Sequence, residues 1–485
     1  MELYTYDKQA LPQPIVEGGE DLLELYDLAW ETAFDNVDYV NKEGWKPILT
    51  CMPGVGRTWL WDSCFMTFIT NYANGTFNGF NNMDNLYRLQ REDGYISMAY
   101  DIATEQPSYG EFINPPLAAW IEWEQYRISG DRSRFASVLP VLEKHYGFIE
   151  ENRKRPSCGL YFFETVNSSG MDNSPRSGDR SYGNMGSDVC YIDLACQQSL
   201  SAKCMAKMFE VLGNAEKAEF YRGENDRINE LINRYHWSER GGFYYDFFAR
   251  YKPHEKVKFI NTKTSAAFWA LLCGTADEER AAKMVEHLMN PEEFYTHTPF
   301  ASLSKDDLNY DPQGGYWLGS SWHPTTFAAI RGLYEHGYKA EAKAATAQLL
   351  KVMSAVAKNP VYGGIWECYA PETDRPASNA NGTLCRPHFV GWGGLGPVTL
   401  LIEHIIGLHF EAQENTVTFE FDRKTGLKNM RFNGGLLDIE CTAFDGAKGG
   451  KVEVSAEKPF TLVLRPQYSK EQILTVSAGN HNFEF

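Results

Sequence analysis

From Glu20 to about residue 406 the chain repeats apolar residues at spacings of three and four, and from Gly407 to its end it alternates with a period of two. The first pattern is that of amphipathic helices and the second that of half-buried strands. The segment Glu20 to Val37, for example, sets Leu22, Leu23, Leu25, Tyr26, Leu28, Ala29 and Ala33 on one broad face. Similar stretches predict twelve helices, near 20–38, 59–73, 78–91, 114–129, 132–153, 188–212, 214–235, 263–273, 277–289, 322–336, 338–357 and 395–406. They fall into successive pairs. The loops Tyr95–Ile113, Pro156–Ser187, Tyr295–Ser321 and Asn359–Gly394 exceed the usual connection length, which marks them as functional. An even number of paired helices suits a closed double ring of six pairs. An open solenoid shares that pattern but would repeat a motif in every unit, and no such repeat is visible.

Three segments follow from these periods. Residues 1–19, rich in Pro and Gly, are expected to be an irregular lead-in, residues 20–406 a helical body, and residues 407–485 a small antiparallel β domain resembling a sandwich. That last module is a structural cover for the helices or a carbohydrate-binding appendage. With 485 residues, one large architecture plus a small appended domain is the natural expectation.

Composition narrows the partners. Lys and Arg number 46 against 64 Asp and Glu, a net charge of −18 that opposes attraction to nucleic acid or an anionic membrane. No apolar run reaches the length of a bilayer span, because Glu403 and His404 interrupt the nearest, Val398 to Leu408. The N-terminal residues show no secretory signal, and ten cysteines without a CxxC pair read as reduced thiols, so a cytoplasmic protein is expected. His323 and His388 have no metal-ligand spacing around them, and neither metal nor cofactor is implied. Aromatics make up 14% of the chain, and several tryptophans sit in turn-rich stretches rather than in helical stripes. Such rings stack on the C–H faces of sugars, which points to a small oligosaccharide or glycoside as substrate. The oligomeric state is left open.

Two acidic loops carry the chemistry. One reads Ser169-Gly-Met-Asp-Asn-Ser-Pro-Arg to Arg176, and the other Gly363-Gly-Ile-Trp-Glu-Cys-Tyr-Ala-Pro to Pro371. Gly170, Pro175 and Pro371 exclude a long helix there, so Asp172 and Glu367 stand on ordered loops. A pair of separate carboxylates, one kept protonated beside apolar groups and one ionised, is what acid/base cleavage of a glycosidic bond needs. Met171, with Tyr161, Phe162 and Phe163, is expected to desolvate Asp172 and raise its pKa. An Asx-turn for Asp172 and a surface position for Glu367 are the bland alternatives. Further clusters join the long loops. Trp59-Leu-Trp-Asp-Ser supplies Trp59, Trp61 and Asp62, the last a helix cap or a sugar ligand. Gln90-Arg-Glu-Asp-Gly-Tyr supplies Gln90 and Asp93, and Asn114-Pro-Pro supplies Asn114. Gly314-Gly-Tyr-Trp-Leu-Gly-Ser-Ser-Trp supplies Tyr316, Trp317 and Trp322, while Trp366 and Trp392 complete the stacking candidates. Arg176 pairs with a carboxylate or with a sugar oxygen.

These motifs, in this order from about Trp59 to Gly407, resemble the inverting α-glycosidases of glycoside hydrolase family 63 and their trehalase relatives, especially the short bacterial mannosylglycerate/glucosylglycerate hydrolase type. The resemblance implies a catalytic (α/α)6 barrel, and with the small antiparallel β domain read from the alternation after Gly407 the expected fold is mainly α. It implies an exo-acting inverting hydrolase of a small α-glucoside or α-mannoside, with Asp172 as general acid, Glu367 as general base and Asp62 holding the sugar. Many relatives carry Tyr-Trp-Arg-Gly where this chain has Tyr316-Trp317-Leu318-Gly319, and the lost cation bears on any anionic aglycone such as glycerate. A sugar epimerase or polysaccharide lyase on the same scaffold, which would lean on a His or Tyr base, with His323 and His388 the histidines to test, and a barrel that only binds glycans are the rival readings.

Overall fold

The computed structural model describes residues 3–177, 186–249 and 256–485. The protein is mostly helical with a C-terminal sheet region, and the described residues contain a helical segment at each of the twelve expected stretches. These are α1 (Glu20–Asp35), α2 (Leu60–Thr70), α3 (Phe80–Arg88), α4 (Ala118–Ser129), α5 (Phe135–Asn152), α6 (Ile192–Val211), α7 (Ala215–Tyr235), α8 (Trp269–Leu272), α9 (Glu278–Leu288), α10 (His323–Glu335), α11 (Lys339–Lys358) and a π-helix at Leu395–Ile406. The stretch near 263–273 is split, a 3-10 turn at Ser265–Phe268 running into α8.

Burial separates two kinds of helix. α7 buries only Ala218, Tyr221, Ile228 and Ile232, one stripe at helical spacing, and Asn214 caps its start by accepting the Lys217 N–H. α2, by contrast, buries all eleven of its residues, as does the π-helix all twelve of its own. A helix apolar all round must be surrounded by protein. Accordingly α2 packs on α4, α4 on α6, α6 on α8, α8 on α10, α10 on the π-helix, and the π-helix back on α2. α3, α7 and α11 pack outside α2, α6 and α10, and α1 lies on α11 and the π-helix. Gly407 ends the π-helix at φ +89°, where a Cβ would sit 1.7 Å from the Glu420 carbonyl oxygen, so only glycine fits.

Two expectations are corrected at the sheets. The lead-in is not wholly irregular: Gln13–Val16 is an edge strand, paired antiparallel with Thr425–Phe432 in a five-stranded sheet completed by Gly435–Phe444, Gly450–Ala456 and Gly479–Glu484. Pro14 is tolerated because an edge strand can spare an N–H. Nor is the tail purely antiparallel. In the four-stranded sheet, ordered Leu408–Glu411, Thr416–Phe421, Phe460–Pro466 and Gln472–Val476, the two central strands run parallel, with Val417 opposite Leu462. The chain between them passes through the other sheet, and that long crossover is what a parallel pair requires. Gly435–Phe444 of the first sheet and Thr416–Phe421 and Phe460–Pro466 of the second bury alternate residues, and Phe432 of the first meets Phe410 and Phe460 of the second.

Candidate active site

Several of the buried helices begin at one cavity of about 400 Å3, and the long loops supply the rest of its wall. The strand Arg57–Trp59, paired with Ala99–Asp101, feeds directly into α2 and aims Trp59, Trp61 and Asp62 at the cavity. Asp62 does not cap α2; its Oδ1 accepts the Cys51 thiol at 3.0 Å. Burial raises its pKa from the ordinary carboxylate range to about 7, the negative charge of Glu367 adds to the rise, and Cys51 and Arg386 oppose it.

The first acidic loop is shaped by a 3-10 turn, Val166–Ser169, capped by Thr165, and by Gly170 at φ +79°. A Cβ on Gly170 would meet the Trp61 ring at 3.0 Å, so glycine lets the loop lie against α2. Asn114 ties the two together: its Oδ1 accepts the Trp61 N–H at 3.3 Å and its Nδ2 donates to the Ser168 carbonyl at 3.0 Å. Asp172 then lines the cavity. The expected aromatic jacket does not form around it. The Tyr161 hydroxyl goes to Glu150, Phe162 lies under Arg155 at 3.8 Å, and Phe163 packs on Tyr191; none of the three lines the cavity. Arg176 also points elsewhere. All three of its nitrogens are spent on Asp193 and Asp246 at 2.7–3.0 Å, which pins the loop to the start of α6.

Across the cavity Glu367 is 4% exposed, its Oε1 accepting the Tyr316 hydroxyl at 3.0 Å and its Oε2 the Arg386 backbone N–H at 3.2 Å. Burial pushes its pKa up against those two hydrogen bonds. Trp317 stacks on Trp322 with centroids 4.1 Å apart, Trp322 meets Trp392 edge-on, and with Tyr316 they form one continuous aromatic wall.

Three expected ligands lie outside the cavity besides Arg176. Gln90 donates to the Gly94 and Val141 carbonyls, and Asp93 is half-exposed and paired with Arg91 at 2.6 Å. Both belong to a turn pressed on α5. Trp366 turns its indole N–H to the Gly363 carbonyl at 2.7 Å and leaves the wall to Trp392. Sequence reasoning missed Arg57 and Arg386, both exposed and both lining the cavity, with no carboxylate within 4 Å among the described ion pairs. The signal was within reach, since Arg57 stands two residues before Trp59 and Arg386 opens the Arg-Pro-His-Phe motif. Cys51, Met52 and Phe112 carried no sequence signal. Among the described residues no group of three His, Cys, Asp or Glu is placed to hold a metal, and no helix is long and apolar enough to cross a membrane.

Comparison with known proteins adds to this geometry. The model of the mannosylglycerate hydrolase MGH1-like glycoside hydrolase domain matches residues 56–383. An uncharacterized protein of Borreliella burgdorferi is 28% identical over 428 residues, 86% of each chain. A mannosyl-oligosaccharide glucosidase of Arabidopsis thaliana is 25% identical over 62% of this chain and 41% of its own length. Among solved structures, a GH63 mannosylglycerate hydrolase of Thermus thermophilus, in complex with glucose, superposes with a TM-score of 0.61 at 19% identity, covering 77% of this chain and 99% of that one.

Proposed function

The chain belongs to the mannosylglycerate hydrolase MGH1-like glycoside hydrolases, and from that premise we propose that it is an exo-acting inverting α-glycosidase of a small α-glucoside or α-mannoside. Asp172 is the general acid, Glu367 the general base, and Asp62 holds the hydroxyls of the sugar being cleaved. The observation that carries this reading is that these three carboxylates, from three separate parts of the chain, line one aromatic-walled cavity.

The chemistry follows from their surroundings. Asp172 protonates the glycosidic oxygen as its bond to the anomeric carbon breaks. On the other face of the ring, Glu367 takes a proton from the attacking water, and its raised pKa strengthens it as a base. An inverting pair needs its carboxyls roughly 6.5–9.5 Å apart to admit that water. Trp317, Trp322 and Trp392 offer the apolar wall for the ring. The cycle of contacts through α2, α4, α6, α8, α10 and the π-helix supports an (α/α)6 barrel, with residues 20–406 as the catalytic unit and 407–485 as its β partner. Arg57 and Arg386 at the cavity supply the positive charge that Leu318 does not, and favour an aglycone bearing a carboxylate. A cytoplasmic location accords with ten unpaired cysteines. A lyase or epimerase would lean on a histidine or tyrosine base; neither His323 nor His388 lines the cavity, and Tyr316, which does, donates its hydroxyl to Glu367.

The test is NMR of the first-formed anomer, with mannosylglycerate and glucosylglycerate among the substrates. A β-configured first product is expected, and an α-configured one would overturn the water-attack mechanism.

A further inference from the structure

The two acidic loops are joined by a side chain next to one carboxylate. Asn173 is 2% exposed, donates from Nδ2 to the Gly315 carbonyl at 2.9 Å, and accepts the Trp317 N–H on Oδ1 at 2.8 Å. Those two bonds straddle Tyr316, which is held at φ +68°, a left-handed conformation that costs a bulky residue free energy. Such a conformation persists only where the surroundings impose it. Tyr316 in turn donates its hydroxyl to Glu367, and its carbonyl accepts the Trp322 indole N–H at 3.1 Å. Three hydrogen bonds and one strained residue therefore lead from the neighbour of Asp172 to Glu367.

We propose that Asn173 is a positioning residue for the general base: its carboxamide clamps the Gly315–Trp317 turn, and Tyr316, fixed by that clamp, orients the Glu367 carboxylate across the sugar from Asp172. The proposal rests on the acid and base assignment above. A carboxamide suits the task because it presents a donor and an acceptor in one plane. Aspartate at this position would keep an acceptor for the Trp317 N–H and lose the donor to Gly315. With the turn relaxed, Glu367 keeps the Arg386 N–H alone, and a displacement of about 1 Å in a reacting group costs on the order of 100-fold in rate.

A glycosyl fluoride separates this role from mere folding of the acid loop. Water's oxygen bonds to the anomeric carbon as the carbon–fluorine bond breaks, Glu367 takes the proton, and departing fluoride needs no acid. kcat and KM are measured for Asp172→Asn, Glu367→Gln, Tyr316→Phe, Asn173→Asp and the Asn173→Asp/Tyr316→Phe double variant, on the α-fluoride of the accepted sugar and on its ordinary glycoside. Thermal melts report folding. Asp172→Asn is expected to recover on the fluoride. Asn173→Asp and Tyr316→Phe are expected to side with Glu367→Gln, losing about 100-fold in kcat on both substrates with KM little changed, and the double variant to be no slower than Tyr316→Phe. Recovery of Asn173→Asp on the fluoride, wild-type turnover on both substrates, or multiplied losses in the double variant would overturn the clamp. Should Asn173→Asp not fold, wild-type turnover in Tyr316→Phe overturns it equally. An active Glu367→Gln would sink the acid and base assignment instead.

Discussion

α2, α4, α10 and the π-helix each have one end at the cavity and the other at a second buried acidic cluster, and the two clusters are built on opposite rules. At the cavity, Asp62 and Glu367 are buried with hydrogen bonds and, among the described residues, form no ion pair, while the exposed guanidiniums of Arg57 and Arg386 line the same cavity. Just past the C-terminal end of α2, Tyr72 donates its hydroxyl to Glu403 at 3.2 Å, and there the acids are matched. Arg331 pairs with Glu124 at 2.7 Å and with Glu403, and Arg127 pairs with Glu124 at 2.9 Å and Glu411 at 2.6 Å. Burial alone would raise Glu124, yet Arg127 and Arg331 bring it down to about 2, while Asp62 rises to about 7. Compensated charge is a structural device, whereas uncompensated buried charge persists where it is used.

The comparison is broken most directly by Arg331→Met, which strands Glu403 in the interior and leaves Glu124 to Arg127 alone. Its expected cost is about 3–5 kcal/mol of stability, read by thermal or denaturant melting, with the surviving folded fraction still active. A small change in melting would show that the two ends do not differ in kind. Glu367→Gln is the converse: kcat is expected to fall about a thousandfold, with melting unchanged or improved. Turnover near wild type would remove Glu367 from the mechanism.

A pH series sharpens the contrast. The folded pKa of Asp62 is raised, so the unfolded chain ionises first, and its contribution to stability is lost as pH climbs from about 4 to about 7. Asp62→Asn is therefore expected to melt higher than wild type by on the order of 2–4 kcal/mol above pH 7, with the gain vanishing near pH 4. Glu124 has the opposite sign: its contribution is present above about pH 4.5 and lost as pH falls toward 2. A stabilisation by Asp62→Asn that did not change with pH would mean that its charge carries no cost. The smallest effect is expected for Gly170→Ala, about 1–2 kcal/mol from the left-handed backbone, with a further loss of kcat because the new methyl presses on Trp61.

Much of this was legible before any coordinates. The twelve helical stretches were readable because each carries its own apolar period, and Asp172, Glu367 and Asp62 because glycine, proline and tryptophan mark the loops and helix start that hold them. What was misread depended on neighbours distant in the chain. Gln90 and Asp93 have the polarity of sugar ligands, but the turn carrying them is pressed on α5. The strand at Gln13–Val16 is too short to announce itself, and exists because Thr425–Phe432 offers it an edge. Arg176 was equally suited to a substrate or to an ion pair until Asp193 and Asp246, 17 and 70 residues away, claimed its guanidinium.

The amino-acid sequence by itself determined which segments are helix or strand and which residue types could perform acid/base chemistry, because periodicity, turn residues and side-chain chemistry are local properties. Which carboxylates meet, how far each is removed from water, and which of them find a cation were decided only by the tertiary structure. Burial and Coulomb interactions depend on distance through space, and Tyr316 reaches Glu367 across 51 positions of chain that the folded helices bring together.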